Sequence, residues 1–333
     1  MMDEQIINIL DFVIQDITDR FPVSKRRDIR RISKDILLTK NDGNCGIKHT
    51  RNLFLNYQGK KDEFLVLSKH FVCEIWITCY LVSKFCIESG LIIPGDDKCK
   101  SISLSKNPNQ NKIDSAFRSC FDWLRNKTRY RLIRDNNGLN ESTMQKVLLY
   151  YDNETQGFNR NTDTQIDSLS QFFLVYALEY VFAHEFGHIY YKHKPDLALS
   201  LSQEQAADIF GIQQTKPQNS DNNLLFYIEM GVLCTHLTDL FNKKQITEGI
   251  EHPDPIKRLK YSLNMLTLDK DIYSLVVSKM VKLWAKVNYP RCKVIQNSDS
   301  MDSLYYEIEQ IKKRTERVLI RKRKKASPAI ALR

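Results

Sequence analysis

His184-Glu185-Phe186-Gly187-His188 sets two imidazoles four residues apart, with a carboxylate directly after the first. In a helix the two rings lie on one face, one turn above the other. Two imidazoles so placed can bind one zinc ion, and Glu185 points aside, toward an attacking water rather than the ion. Two ligands and a general base make the arrangement of a zinc hydrolase. The surrounding run from Phe172 to Ile189 is largely Phe, Leu, Val, Tyr and Ala. Three titratable groups inside such a run are costly to bury unless something pairs them, and a metal would. The plainer alternative is a core helix whose histidines are hydrogen-bonded.

A three-ligand site needs one more side chain. One class of zinc site takes a histidine six residues past the second, with a glycine between. Here those positions are Lys194 and Tyr191, and His193 is off by one, so that class is disfavoured. The other class takes a glutamate from the next helix. Ser202-Gln203-Glu204-Gln205-Ala206-Ala207-Asp208 supplies Glu204, across the Pro195 turn. Asp208 follows four residues later, so both acids face the same way. An aspartate there can accept the outer ring N–H of a zinc-binding histidine. Ala206 and Ala207 let the two helices approach closely.

A third element is His252-Pro253-Asp254-Pro255-Ile256-Lys257-Arg258. His-Glu-x-x-His, then Glu-x-x-Ala-Asp, then His-Pro-x-x-x-x-Arg resembles the gluzincin metallopeptidases of the HtpX and CAAX-prenyl-protease type. The resemblance covers His184 to Arg258, about a quarter of the chain. It implies a zinc-dependent endopeptidase with one zinc held by His184, His188 and Glu204, with Glu185 as general base and Asp208 behind a ligand. His252 or Arg258 would donate to the tetrahedral oxyanion, or Arg258 would pair with an acid of the site. The membrane-spanning helices of those families are not expected here. A cytosolic chain with this core is more similar to the phage-exclusion Lit-type peptidases, which implies a cytosolic protein substrate.

Helices must carry these residues. Apolar spacing predicts helices over 4–19, 25–38, 62–90 and 114–127. Further helices are expected over 167–193 for the metal pair, 203–213, 223–243, from Pro253 or Pro255 to about 266, and 270–287. Strands are expected over 129–133 and 146–151, around the Asn136-Asn137-Gly138 turn. The fold class is therefore α+β, predominantly helical: a zincin-like metallopeptidase core with a small sheet beside the metal helix. Three regions are expected: a helical N-terminal region over 1–127, the catalytic core over 128–290 and a basic helical tail over 291–333.

The chain of 333 residues is 42% hydrophobic and 27% charged, ordinary for a folded soluble protein. Its net charge is +10, part of it in Lys312-Lys313-Arg314, Arg317 and Arg321-Lys322-Arg323-Lys324-Lys325. That run can bind a phosphate backbone, which keeps open a nucleic-acid-binding regulator, or a ribonucleoprotein target for a peptidase. A solvated helical tail is the simpler reading. Eight cysteines contain no Cys-x-x-Cys pair, and buried free thiols in a reducing cytoplasm are expected. Met1-Met2-Asp3-Glu4-Gln5 does not read as a signal peptide, and no transmembrane span is expected.

Overall fold

The computed structural model describes residues 2–33, 37–39, 47–50, 64–91, 160–191, 193, 201–216, 222–243, 254–268 and 270–288, with single positions between 113 and 121 and between 306 and 321. Helices dominate. The first two are α1 (Met2–Arg20) and α2 (Val23–Ser33), parted by Pro22. Three short strands follow, β1 (Leu37–Thr39), β2 (Ile47–Thr50) and β3 (Phe64–Ser68). β3 is central, parallel to β1 with Leu37 opposite Val66, and antiparallel to β2 with Ile47 opposite Leu67.

Then come α3 (Lys69–Glu88), α4 (Arg160–Tyr190), α5 (Leu201–Thr215), α6 (Asn222–Asn242), α7 (Pro255–Met265) and α8 (Lys270–Asn288). α3 ends as its sequence requires. Gly90 takes a positive φ of 68°, and the Leu91 N–H returns 2.8 Å to the Cys86 carbonyl, a six-residue helix stop. Asp254 caps α7 by accepting from the Ile256 N–H at 2.8 Å, and Pro255 occupies the first turn, where its missing donor is not needed.

The expected α+β core is corrected. Among the described residues no strand lies between 128 and 290, and the helices alone build that region. The stretches 129–133 and 146–151 lie outside the described residues. The short strands come instead from 37–68, where β1 begins in the helix expected over 25–38 and β3 lies in the one expected over 62–90. A brief apolar run such as Phe64-Leu65-Val66-Leu67 satisfies helical and strand periods equally, and only its partners decide.

α4 is the central helix, with α5, α6, α3 and α1 against it. Leu178, Phe182 and Phe186 belong to one apolar core that includes Val13 and Ile17 of α1, Val82 of α3, Leu237 of α6 and Trp284 of α8, with Val175 packed against it. Burial of such a face is what stabilises these helices. Among the described residues, two helices are long and apolar enough to cross a membrane, Gln165–Tyr190 and Asn222–Asn242; their apolar windows are 67% and 72% buried within the fold, which accounts for their composition. Cys79, Cys86 and Cys234 are buried free thiols.

Polar ties lock the helices at their ends. Arg20, last in α1, donates to the Gln214 and Thr215 carbonyls at the end of α5, at 3.1 and 2.9 Å, and pairs with buried Glu179 of α4. Buried Glu229 of α6 accepts from Lys216 at 2.6 Å, from the Thr267 N–H at 2.7 Å and from the Leu268 N–H at 3.2 Å. Trp284 of α8 donates to the Lys243 carbonyl at 3.0 Å.

Candidate metal centre

α4 presents Tyr180, His184 and His188 at four-residue intervals, so all three project from one face. α5 presents Glu204 and Asp208 the same way. The two helices meet at very short range because three small residues line their contact. A Cβ on Gly187 would come within 3.2 Å of the Ala207 Cα, and one on Gly211 within 2.9 Å of the Tyr180 ring. Phe21 of α1 backs the pair, with its ring centroid 5.8 Å from Phe186 and 5.5 Å from Phe210.

This approach brings His184, His188 and Glu204 into one buried cluster whose ligand atoms all lie within 4.8 Å of one another. The two Nε2 atoms are 3.2 Å apart. Glu204 stands 3.7 Å from His184 Nε2 and 3.4 Å from His188 Nε2. Donors bound tetrahedrally to zinc at about 2.0–2.1 Å lie roughly 3.3–3.4 Å from each other. Glu204 meets the two rings through different oxygens, each pair separation is near that edge, and a donor set of two imidazoles and a carboxylate fits that ion. Glu185 is half-buried, beside the buried pair.

Behind the cluster lies Asp208, with no exposed surface. Its carboxylate is 2.8 Å from His184 Nδ1, on the ring edge away from the cluster. The Tyr180 hydroxyl donates to it at 2.7 Å, and Arg258 of α7 donates twice, from Nε at 2.9 Å and from a terminal nitrogen at 2.5 Å. The other terminal nitrogen of Arg258 is 3.7 Å from Asp239. Tyr261 of α7 also donates to the Gln205 carbonyl at 3.0 Å, which holds α7 over α5.

The charges follow from these contacts. Burial alone would raise the Asp208 pKa, but the Arg258 charge and the His184 and Arg258 hydrogen bonds hold it well below the usual carboxylate range. Burial opposes protonation of His184, yet Asp208, Glu185 and Glu204 together raise its pKa. At His188 burial prevails over Glu204, and the pKa is lowered. Burial also lowers His236 of α6 to about 3, helped by the Arg258 charge; this ring is hydrogen-bonded to Ser262 at 2.8 Å.

Every expected site residue of α4 and α5 therefore meets in one place, and Arg258 meets Asp208. His252 lies outside the described residues. Sequence reasoning passed over Tyr180, although its position four residues before His184 signals the same helix face. His193 was weighed only as a misplaced ligand; its Nδ1 lies 2.8 Å from His188 Nδ1. The described part of the tail is helical, exposes Lys313, Arg317 and Arg321, and is tethered where Lys260 of α7 meets Glu309 at 2.8 Å. Only charge speaks for a nucleic-acid contact there.

The family model described as Peptidase U49 matches residues 65–278, a span that holds the whole cluster and Arg258. No curated protein and no solved structure matches the chain.

Proposed function

The chain belongs to the Peptidase U49 family, and from this premise we propose that it is a zinc-dependent endopeptidase acting on a cytosolic protein. The observation that carries the metal reading is the set of separations within the buried His184–His188–Glu204 cluster. When bound, the ion supplies Lewis acidity, polarising the scissile carbonyl and lowering the pKa of a water.

The chain's own groups do the rest. His184 and His188 keep their Nε2 lone pairs turned inward. Asp208 holds the proton on His184 Nδ1, so that ring stays in the tautomer that can bind metal. Tyr180 and Arg258 keep Asp208 ionised and aimed. The doubled contact to Asp208 supports a positioning role for Arg258 over direct contact with substrate. His252 is then the remaining candidate to donate to the oxyanion. Glu185 takes the proton of the attacking water on its carboxylate and passes it to the leaving amine nitrogen.

The test pairs two variants. Glu185→Gln should retain one zinc per chain and lose at least about a hundredfold in cleavage, whereas Glu204→Ala should lose tight zinc. Undiminished cleavage by Glu185→Gln, or stoichiometric zinc in Glu204→Ala, defeats the mechanism. New protein termini in cells expressing the wild type, absent with Glu185→Gln, identify the substrate. The phage-exclusion setting rests on the Lit-type resemblance, and plaque counts on hosts carrying the same two forms decide it.

A further inference from the structure

We infer that His193 is a positioning residue, one that holds the His188 ring by accepting its outer N–H. The inference rests on the zinc reading above but uses a separate contact. The last turn of α4 closes with two return bonds: the Tyr191 N–H reaches the Gly187 carbonyl at 2.9 Å, and the His193 N–H reaches the His188 carbonyl at 2.9 Å. The second is the same six-residue stop that ends α3, where the Leu91 N–H meets the Cys86 carbonyl. Such a stop folds the side chain of the last residue back over that of the first. At α3 the returning residue is a buried leucine. At α4 it is a histidine, and it returns onto a candidate ligand.

The two rings meet at Nδ1, 2.8 Å apart, with centroids separated by 5.1 Å. Two ring nitrogens at that distance must share one proton, since two would clash and none would leave lone pairs opposed. His188 Nε2 faces His184 and Glu204. To bind through Nε2, the neutral ring must carry its proton on Nδ1, and His193 Nδ1 is the acceptor. His193 is steadied on its other side by Tyr191, whose ring lies 5.7 Å away at an interplanar angle of 26°. His184 and His188 are thus both supported from behind, by Asp208 and by His193 respectively. The sequence reading rejected His193 because it stood one residue from a ligand position; that offset is what lets the helix stop deliver it to the back of the ring.

The test uses the full chain with ¹⁵N-labelled histidine. A coupling across the hydrogen bond between the two Nδ1 atoms is expected, with the proton on His188 when zinc is bound. His193→Phe keeps the aromatic contact with Tyr191 but removes the acceptor, and zinc affinity by chelator competition should fall about 10- to 100-fold. His193→Asn puts an amide oxygen where Nδ1 stood, and should stay within about threefold of the wild type. Wild-type affinity in His193→Phe, or no coupling between the rings, overturns the inference. So does a metal-free melting temperature that falls equally in both variants, since that marks a merely structural role. If the wild type takes up no zinc, the metal reading falls, while the coupling in the metal-free chain still decides whether His193 orients His188.

Discussion

At the residue scale the most constrained position is Asp208. Its two oxygens take Tyr180, His184 and both contacts of Arg258, all at 2.9 Å or less. Asp208→Asn keeps the shape but turns an amide N–H toward at least one of these donors, and leaves Arg258 buried without its anion. Removing one partner of a buried pair costs about 3–5 kcal/mol, and urea unfolding should show a loss of that order. Zinc affinity should fall about 10- to 100-fold with it. Much of this cluster was legible before the fold. The four-residue spacings of His184 with His188 and of Glu204 with Asp208 are properties of any helix, and a short hairpin brings them together. His193 was not legible, because its placement depends on how α4 ends. That Arg258 pairs with an acid of the site was one of its two expected roles; that the acid is Asp208 was not legible, because the approach of α7 to α5 leaves no local pattern.

At the element scale the packing of α5 and α6 on α4 is controlled by residues without side chains. A Cβ on Gly231 of α6 would sit 2.7 Å from the Ala177 backbone nitrogen, so α4 or α6 would have to move. Gly231→Ala should destabilise the fold by about 1–3 kcal/mol, read as a lower melting temperature. The corresponding change at Gly187 meets α5 backbone and parts the two helices that carry the ligands. Helix positions were read well where apolar residues recur over many turns: 203–213 was expected and Leu201–Thr215 is found, 270–287 was expected and Lys270–Asn288 is found. The described strands were not anticipated because strands of three to five residues carry too few periods to distinguish from helix ends.

At the scale of the whole molecule, acid stability has an identifiable contributor. His236 lies between α6 and α7, its edge toward Tyr180 at 5.1 Å, with Arg258 opposing its charge and Asp208 and Asp239 favouring it. Its pKa is about 3 in the fold against 6.5 as the ordinary value. The unfolded chain therefore takes up a proton below pH 6.5 that the folded chain refuses until about pH 3. Stability from this group is complete above pH 6.5 and is lost as pH falls between those limits, by up to about 1.4 kcal/mol per pH unit. His236→Gln keeps a polar atom for Ser262 and cannot be protonated in this range. Its unfolding free energy should therefore fall less steeply between pH 6.5 and 5, by about 2 kcal/mol in total, in denaturant titrations of both forms.

Arg20 gives the boundaries of the family match a physical meaning. The match begins at residue 65, yet Arg20 supplies the cation beside Glu179 and the donors for the last carbonyls of α5. Burial already raises Glu179 to a pKa of about 8 with that cation in place. A fragment cut to the matched span would lose the Arg20 contacts to Glu179 and to the end of α5, directly on the helix of the metal pair, and would lose Phe21 from behind Phe186. A fragment of residues 65–278 is therefore expected to melt at a lower temperature than the full chain, and thermal unfolding of the two checks this. Sequence before the match completes the shared peptidase region, so fragments made for assay or crystallisation need to begin ahead of α1.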